Sequence, residues 1–427
     1  MGTIEELNKF IKKATSPFHT VDSVCEELKA KGFTELNMAG KWEIQRKGRY
    51  YVKVYDSTLM AFTVGENGIA GGDLRVCSAH TDFPCFKLKP DAVINENGYR
   101  KINTELYGGA ILNTWLDRPL SVAGRVIIKG KGDLEVENRL VDFKRPVMII
   151  PNLAIHLNRE VNKGVELNRQ KEMLPIADII SKEADKFCLE ERLAGLINVK
   201  NEDILDYELY IYQCEEGEKI GFDKTMFSSP RLDNLTSVKA AVDGITGAEE
   251  RESGINMVIL YDNEEIGSRT KQGAQSDIIL LLFEKIMLSL GKTREDMIDY
   301  LINGKMISAD VAHGVHPNYP EKSDITNKPM LNGGTVIKIA ASQSYANDGV
   351  ASAFIKLLAK KSKTQCQTFV NRSDMSGGST LGAITSTILP MRTIDIGVPI
   401  LAMHSARELM GVNDQKCIKK LLTCFFS

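Results

Sequence analysis

Histidine is scarce in this chain, with six among 427 residues, and cysteine shows no paired spacing. The eight cysteines are scattered, and no C-x-x-C pair is present. A zinc ribbon built from thiolates is therefore excluded, and a disulfide framework is not expected. Such cysteine usage is typical of reduced thiols, so we expect a cytoplasmic protein.

The chain also lacks long apolar runs and an excess of one charge. No stretch of 18 or more apolar residues occurs, so no membrane-spanning helix is predicted. The first six residues contain two glutamates and no apolar core, unlike a secretory signal. The formal net charge is -2, which gives no indication of nucleic-acid binding. We therefore expect neither nucleic acid nor a membrane as a partner.

Apolar residues make up 43% of the chain, which is enough for a sizeable core, and the length favours two domains over one. Helix and strand patterns alternate before about residue 90 and again after about residue 222. Between them, turn residues separate short β-type runs, which predict an inserted β-rich module. The simplest organisation is one α/β domain that is split in sequence by this insertion.

The periodicity of apolar residues predicts individual elements along the chain. The predicted helices are a pair within 1–35 that breaks at Ser16-Pro17, and the segments 176–189, 236–245, 276–290, 350–360 and 405–410. The predicted strands are two within 49–65, and the segments 74–78, 135–143, 257–260, 305–309, 336–339, 367–370 and 393–396. Ser405 is expected to cap the helix at 405–410.

Adjacent carboxylates follow the predicted buried strand at 257–260, in the stretch Asp262-Asn263-Glu264-Glu265. By default such a stretch is a solvated acidic loop. At the end of a buried strand, however, carboxylates are costly unless they are neutralised or protonated. A metal ion with a nearby general base would account for both glutamates.

Other potential metal ligands also follow apolar runs. They are His80, with Asp82 two residues further on, Asp233 just before a predicted helix, Asp310 and His404. Two imidazoles and three carboxylates form a ligand set for two divalent ions that share a bridging carboxylate, and they suit zinc, cobalt or manganese. One of the adjacent glutamates would be a ligand and the other a base, and Asp82 would accept from the far nitrogen of His80. Each piece alone is more often a core histidine or a surface turn, so the hypothesis depends on their convergence.

Several longer motifs resemble, in the same order, those of the M18 family of metallo-aminopeptidases, the aspartyl aminopeptidases. They are 16–19, 78–85, 107–109, 114–118, 155–159, 229–235, 262–268, 308–319 and 403–405. The resemblance covers essentially the whole chain. Two loops depart from the family pattern, at Ser344, where many members carry arginine, and at 376–380.

The resemblance implies a fold and a dinuclear centre. The fold is a zinc-exopeptidase-like α/β/α catalytic domain formed by 1–90 and 223–427, with a β-rich dimerisation domain inserted at 91–222. Two zinc ions per subunit would be held by His80, Glu265, Asp310 and His404 as terminal ligands and by Asp233 as the bridge. Glu264 would be the general base, and Asp82 would support His80.

The resemblance also implies peptide substrates and self-association. His313, Lys338 and Tyr345 match positions that contact substrate, and His156 would reach the active site of a neighbouring subunit. Members assemble dimers into a tetrahedral dodecamer with enclosed active sites, and the expected activity is removal of N-terminal Asp or Glu. Without the resemblance, a strand lysine is usually solvated and a tyrosine such as Tyr345 can be an ordinary core-edge residue.

Other functions stay open on the sequence. They are an aminopeptidase of broader specificity, a related dizinc deacylase or carboxypeptidase, and a non-catalytic assembly or peptide-binding protein that has kept the fold. The intact ligand set and base argue against the last of these. The departures at Ser344 and 376–380 bear on the acidic preference rather than on the reaction class.

Overall fold

The described residues, which are 2–180, 187–375 and 377–427 of a computed structural model, form both helices and strands. The helices are α1 (Thr3–Lys13), α2 (Pro17–Ala30), α3 (Leu189–Ile197), α4 (Leu232–Gly247), α5 (Ile278–Ser289), α6 (Arg294–Asn303), α7 (Gly349–Ser362), α8 (Leu381–Ile388) and α9 (Val412–Phe426). The strands are β1 (Thr34–Leu36), β2 (Arg49–Val54), β3 (Thr58–Val64), β4 (Leu74–His80), β5 (Cys85–Glu96), β6 (Tyr99–Tyr107), β7 (Leu120–Lys129), β8 (Val136–Asp142), β9 (Ile176–Ile179), β10 (Ile204–Gln213), β11 (Glu218–Ile220), β12 (Met226–Ser229), β13 (Ile255–Tyr261), β14 (Lys305–Ala309), β15 (Ala312–His313), β16 (Thr335–Ile339), β17 (Cys366–Val370), β18 (Arg392–Gly397), β19 (Pro399–Leu401) and β20 (Glu408–Gly411). The predicted α/β class is confirmed.

The chain divides into two units that interrupt one another in sequence. The first comprises Met1–Asp82, Gly217–Met403 and Glu408–Ser427. The second comprises Phe83–Glu216 and His404–Arg407. The predicted domain boundaries and the dimerisation role of 91–222 stay predictions.

A mixed sheet runs through the first unit, with the strand order β1-β2-β3-β13-β4-β14-β18-β16-β17. Within it, β13, β4, β14 and β18 are parallel neighbours. The register pairs Tyr261 with His80 and Ser308 with Ser78, so the carboxyl ends of these strands lie side by side. In parallel sheets, ligands bind beyond these ends.

Apolar side chains bury both faces of this sheet. Every residue of β13 is buried, as expected for a parallel strand that helices cover on both faces. Met257 and Ile259 pack with Phe283 of α5, whose burial contributes about 1.5–3 kcal/mol. Because successive strand residues point to opposite faces, Val258 and Leu260 face away from that cluster, and α4 contacts β13 as well.

Local sequence explains where two helices begin. Ser16 caps α2, because its Oγ accepts from the backbone N–H of His19 at 3.3 Å, and Pro17 occupies the first turn. Thr293 and Asp296 form a capping box at the start of α6. The predicted break at Ser16-Pro17 is therefore confirmed as the boundary between α1 and α2.

An antiparallel sheet with the order β8-β7-β10-β5-β6-β9 runs through the second unit. Phe86 on β5 packs edge-on against Trp115 with ring centroids 5.1 Å apart, and both side chains are buried. Such edge-to-face pairs add about 0.5–1.5 kcal/mol to the burial of their area. The β-rich character predicted for this part of the sequence is confirmed.

A smaller sheet in the first unit, β11-β12-β20-β19-β15, corrects one predicted helix. The segment 405–410, predicted as a helix capped by Ser405, leads into β20, which pairs with β12 and β19. His404 has a φ of 66°, in the left-handed region, and the helix begins only at Val412. Pairing with two strands overrides the weak helical spacing of this short segment.

The predicted helix at 176–189 is also wrong. Ile176–Ile179 form β9, which pairs with β6, and α3 begins only at Leu189. The positions 181–186 lie outside the described residues. A short apolar run cannot be assigned to helix or strand by periodicity alone. The spacing also failed to predict α6, α8 and α9.

The longest helix of the described residues is α4, with 16 residues. Within those residues, no helix combines the length and the apolar character that a membrane span requires.

Candidate metal centre

The predicted ligands of the first unit gather at the carboxyl ends of three neighbouring parallel strands. His80 is the last residue of β4, and Asp310 directly follows β14. Glu264 and Glu265 lie in a short 3-10 turn just after β13. Since the register aligns the ends of β13 and β4, the structure places these side chains together.

His80 lies at the centre of this group and is 1% exposed. Its Nδ1 lies 3.0 Å from the carbonyl oxygen of Asp82. A carbonyl oxygen can only accept, so Nδ1 carries a proton, and Nε2 is the nitrogen whose lone pair can take either a proton or a cation. Nε2 lies 3.3 Å from Asp233 Oδ1 and 3.5 Å from Asp310 Oδ1. A lone pair that faces two carboxylates requires a proton or a cation between them.

This arrangement has the dimensions of a divalent metal site. The ligand atoms of His80, Asp233 and Asp310 all lie within 4.8 Å of one another. Tetrahedral zinc, with bonds of about 2.0–2.2 Å, holds its ligand atoms roughly 3.3–3.6 Å apart. Both distances from His80 Nε2 agree with that spacing. Imidazole with carboxylates is also a donor set that zinc accepts, so the residues fit the ion.

Asp233 is positioned by the irregular start of α4, where its φ of -77° and ψ of 107° are not helical. Its backbone N–H donates to Glu408 Oε2 at 3.0 Å. The neighbouring Asn234 donates through Nδ2 to the carbonyl oxygen of Ala309 at 2.9 Å. Asn234 thereby ties the start of α4 to the end of β14, next to Asp310. Sequence reasoning missed Glu408, because its partner Asp233 lies 175 residues away in sequence.

Asp82 holds the two glutamates after β13. Its Oδ1 accepts from the backbone N–H of Glu264 at 3.2 Å, and its Oδ2 accepts from that of Glu265 at 3.1 Å. The predicted contact of its carboxylate with His80 Nδ1 measures 3.4 Å, so the backbone carbonyl of Asp82 is the nearer acceptor. Ligand atoms of His80, Glu264 and Glu265 lie within 4.8 Å of one another. Asp82 therefore positions both glutamates beside His80.

The turn that carries the glutamates uses left-handed backbone. Asn263 has a φ of 64°, Gly267 of 95° and Ser268 of 61°. Asparagine and glycine tolerate this region, whereas a left-handed serine is uncommon. Asn263 is held by Thr270 Oγ1, which donates to its Oδ1 at 2.8 Å, and its carbonyl oxygen accepts from Ser268 N at 2.7 Å. These bonds fix the turn and hence the direction of both glutamates.

The local charges shift the pKa values of several groups. Burial raises the pKa of Glu264 to about 8, although the charge of His80 opposes it. Burial also raises the pKa of Asp262 to about 7, with a contribution from the charge of Asp82. For His80, burial alone would lower the pKa, but hydrogen bonds to three carboxylates outweigh it and raise the pKa well above its usual value. Carboxylates thus crowd this site, and a divalent cation there would favour their ionised forms.

Lys338 on β16 is buried rather than solvated, with 2% exposure. Its Nζ lies 3.0 Å from Asp310 Oδ2 and 3.0 Å from the carbonyl oxygen of Val311. Burial opposes its charge, but the negative charges of Asp310 and Asp395 outweigh burial and raise the pKa of Lys338. The pKa of Asp310 is lowered although burial would raise it, because the charge of Lys338 lies beside it. The usual expectation for a strand lysine does not hold here.

Two other predicted substrate contacts surround Phe369, which sequence reasoning did not identify. The ring of His313 lies 5.7 Å from that of Phe369, and the ring of Tyr345 lies 6.2 Å from it. Lys338 Nζ lies 5.3 Å from the centre of the Tyr345 ring. His313 is exposed, whereas Tyr345 is buried. Lys338 therefore lies between this aromatic group and Asp310, which belongs to the cluster of carboxylates around His80.

The two loops that depart from the family pattern contact each other. The backbone N–H of Thr380 donates to the carbonyl oxygen of Ser344 at 3.2 Å. Asp395 Oδ2 accepts from Ala346 N at 2.6 Å and so anchors the first loop on β18. Ser376 lies outside the described residues.

His404 and His156 belong to the second unit. The Nδ1 of His404 lies 3.1 Å from the carbonyl oxygen of Gly109, which assigns the proton to Nδ1 as in His80. His156 is exposed in a turn, between the exposed apolar side chains of Ile155 and Leu157.

Comparison with known proteins agrees with the sequence resemblance. A family model described as aminopeptidase I zinc metalloprotease (M18) matches residues 10–426. A probable M18 family aminopeptidase 2 of Clostridium novyi (strain NT) is 46% identical over 424 residues, which are 99% of this chain and 98% of that protein. The same description applies to a protein of Clostridium acetobutylicum that is 45% identical over 428 residues, 99% of this chain and 98% of that one.

Solved structures share the fold. A chain in the cryo-electron-microscopy structure of the Ape4 and Nbr1 complex superposes with a TM-score of 0.94 and 32% identity, over 99% of this chain and 85% of that one. A chain in the structure of the S. cerevesiae mApe1 dodecamer superposes with a TM-score of 0.85 and 27% identity, over 99% of this chain and 95% of that one.

Proposed function

The chain belongs to the M18 family of aminopeptidase I zinc metalloproteases, and we propose that it is a dinuclear zinc aminopeptidase that removes N-terminal Asp or Glu from peptides. Metallo-aminopeptidase activity follows from the family. The observation that carries the proposed site is the placement of His80 Nε2 against Asp233 Oδ1 and Asp310 Oδ1, at 3.3 and 3.5 Å.

Five residues would hold the two ions: His80 and Asp310 on one, Glu265 and His404 on the other, and Asp233 between them. Both histidines support this assignment in the same way. Each has Nδ1 beside a backbone carbonyl oxygen, at 3.0 Å in His80 and 3.1 Å in His404. Metal-binding histidines usually donate their other ring N–H to such an acceptor, which fixes the ring and its tautomer. Cobalt or manganese would suit the same donors.

Glu264 is proposed as the general base. Bound zinc would supply the Lewis acidity that polarises the scissile carbonyl and acidifies water. Glu264 would accept the proton of the attacking water and deliver it to the leaving amine. Asp82 supports this role, because it holds the backbone of Glu264 and Glu265 with separate oxygens.

The acidic preference is the finer part of the proposal and rests on the family resemblance. His313 and Tyr345 are proposed to contact substrate, and their shared neighbour Phe369 supports a common pocket wall. The joined loops at Ser344 and Thr380 are where this chain departs from the family pattern, so the degree of preference is decided there.

Self-association into dimers and a tetrahedral dodecamer is also proposed. The dodecameric state of the mApe1 relative supports it. So does a run of exposed apolar residues around His156 in the second unit: Leu153, Ile155, Leu157 and Val165. We propose that His156 acts in the active site of the partner subunit. The scattered cysteines support the cytoplasm as its location.

Kinetics of Glu264→Gln test the reaction. With Asp, Glu, Leu, Ala and Lys p-nitroanilides and zinc reconstitution, the wild-type chain should prefer Asp and Glu. Glu264→Gln should lose about 10²–10⁴-fold in kcat and retain its zinc, as measured by elemental analysis. Near-normal turnover of this variant would show that the base is misassigned.

A second panel of N-acylated amino acids separates the proposal from the related hydrolases. Hydrolysis confined to N-blocked compounds would reject the aminopeptidase. Equal rates of hydrolysis of the acidic and neutral p-nitroanilides would instead indicate an aminopeptidase of broader specificity.

Mixing two inactive variants tests the role of His156. Dimers of Glu264→Gln with His156→Ala subunits should regain activity, because the first supplies His156 to an intact base in the second. Absence of recovery in verified mixed dimers would contradict action across subunits. His316→Ala, at a histidine with no proposed role, is the matched control for the loss of an imidazole.

A further inference from the structure

His404 has an uncommon backbone conformation for a proposed metal ligand. Its φ of 66° lies in the left-handed region. A residue with a side chain adopts this region at a cost in free energy, and it stays there only where the surrounding structure holds it. The contacts that hold the backbone of His404 therefore also decide the direction of its imidazole.

The connection between β6 and β7 in the second unit supplies such contacts. The backbone N–H of Ile111 donates to the carbonyl oxygen of His404 at 2.9 Å. The Nδ1 of His404 lies 3.1 Å from the carbonyl oxygen of Gly109. The backbone N–H of Ala406 donates to Thr114 Oγ1 at 2.8 Å. The first two contacts use the backbone of the connection, so Thr114 supplies the one side chain among these three partners.

The hydroxyl of Thr114 is oriented for its contact. Its Oγ1 lies 2.6 Å from the carbonyl oxygen of Ile111, which can only accept, so the hydroxyl proton points there. A lone pair of Oγ1 is then directed to the N–H of Ala406, a buried residue. A buried N–H that loses its acceptor is costly. Valine has nearly the shape of threonine but no lone pair, so it would remove this acceptor.

The core of the second unit keeps Thr114 itself in place. Trp115, the next residue, is buried and packs edge-on against Phe86 of β5. The carbonyl oxygen of Thr114 accepts from Arg118 Nε at 2.7 Å. Because these contacts fix Thr114 on the β-rich unit, its hydroxyl can hold the turn that begins at His404.

We propose that Thr114 is a positioning residue for zinc binding, whose hydroxyl holds the turn from His404 to Ala406 and so fixes the direction of the His404 imidazole. This rests on the proposed function, because it takes His404 as a zinc ligand. Partners that orient metal ligands typically contribute about 10–100-fold to metal affinity. Loss of the hydroxyl should therefore weaken binding of the ion assigned to His404 more than binding of the ion assigned to His80 and Asp310.

Zinc binding by Thr114→Val and Thr114→Ser tests this role on the full-length protein. Competition with a chromophoric chelator should show that Thr114→Val binds one of two zinc equivalents about 10–100-fold more weakly than the wild type. Thr114→Ser keeps the hydroxyl and should bind both equivalents as the wild type does. At limiting zinc, the activities of Thr114→Val on the Asp and Leu p-nitroanilides should fall together, and added zinc should restore them. If Thr114→Val does not fold, Thr114→Ala carries the same test.

Thr246→Val is the matched control. Thr246 lies on α4 in the first unit, and its Oγ1 donates to the carbonyl oxygen of Val242 at 2.8 Å. The variant therefore also removes a hydroxyl that is bonded to the backbone, but at a position with no proposed role in zinc binding. Its zinc dissociation constants should equal those of the wild type.

Unchanged affinity for both zinc equivalents in Thr114→Val would overturn the proposal. Equal weakening in Thr114→Ser would overturn it too, since the hydroxyl would then not be the cause. The same holds for equal weakening in Thr246→Val, since the effect would then be one of general stability. A wild-type chain that does not bind two zinc ions would instead reject the proposed dinuclear centre, so the two failures are distinguishable.

Discussion

The two ends of β4, β13 and β14 handle charge in opposite ways. At the amino ends, Asp73 lies among cations, with Arg75 Nε at 3.3 Å, Lys305 Nζ at 3.1 Å and Arg251 also in contact. Burial would raise the pKa of Asp73, but the charges of Arg75 and Arg251 outweigh it and lower the pKa. Here the protein itself neutralises the carboxylate.

At the carboxyl ends, several acidic side chains crowd around His80. Burial is the largest cause of the shift of Glu264 to a pKa of about 8. The same strands therefore end in a cluster where cations neutralise the carboxylate on one side and in a group rich in carboxylates on the other. The excess of negative charge, rather than the number of charges, distinguishes a site that favours a cation from a structural ion cluster.

The largest expected effect comes from Asp310→Asn at the carboxyl ends. Loss of this proposed ligand should weaken zinc binding and lower kcat/KM by at least about a hundredfold, which corresponds to a few kcal/mol of transition-state stabilisation. Zinc titration and kinetics measure both effects. Without added zinc, thermal unfolding should also show a loss of stability, because the substitution removes the carboxylate that pairs with the buried Lys338. Unchanged kcat/KM in this variant would contradict the comparison.

Gly397→Ala tests the backbone that supports Asp310. A Cβ at Gly397 would overlap the carbonyl oxygen of Asp310. We expect a loss of about 1–3 kcal/mol in the free energy of unfolding, together with weaker zinc binding. Urea unfolding measures the change in stability, and competition with a chelator measures the change in zinc affinity. Gly247→Ala is the control, because nothing lies within 4 Å of its Cβ position in α4 and alanine favours the helix. Equal behaviour of the two variants would contradict the steric argument.

Asp73→Asn replaces a carboxylate at the amino ends of these strands, as Asp310→Asn does at their carboxyl ends. It removes a carboxylate from among three cations, so the free energy of unfolding should fall by about 1–3 kcal/mol. The value of kcat/KM at saturating zinc should stay unchanged. A drop in activity without a drop in stability would mean that the two ends do not differ as described.

Asp414→Asn asks how a buried carboxylate behaves when backbone N–H groups are its hydrogen-bond donors. Asp414 accepts from Asn332 N at 2.7 Å and Gly334 N at 2.9 Å, yet burial raises its pKa to about 7. The folded state then binds the proton more tightly than the unfolded state, whose pKa is about 4. Its stabilising contribution is full below about pH 4 and is lost as the pH rises through about 7.

The variant should therefore flatten the decline of melting temperature between about pH 4 and pH 7. Asp296→Asn serves as the control. Its exposed carboxylate has a lowered pKa because it accepts from the backbone of Thr293, so its stabilisation is lost only on acidification below about pH 4. An unchanged slope in Asp414→Asn would show that the carboxylate is ionised throughout.

The sequence could predict those site residues that directly follow a buried strand. The apolar run of β13 and the acids after it predicted a strand followed by ligands, because burial makes such acids costly. The helix predicted at 405–410 failed because β20 is specified by its pairing with β12 and β19, which local spacing does not contain. Without the family resemblance, a strand lysine such as Lys338 is expected to be solvated, since its partner Asp310 lies 28 residues away in sequence. Glu408 was missed for the same reason, because its bond to Asp233 spans 175 residues.

The bonds from Asp82 to Glu264 and Glu265 have a consequence for anyone who wishes to move this chemistry to another scaffold. The two glutamates sit on the turn after β13, but their spacing from His80 is set by a side chain that follows β4. A graft of the acidic turn alone would carry both carboxyl groups without the Asp82 carboxylate that aligns them. The smallest transplantable module is therefore a pair of adjacent parallel strands with their turns, and not a linear motif.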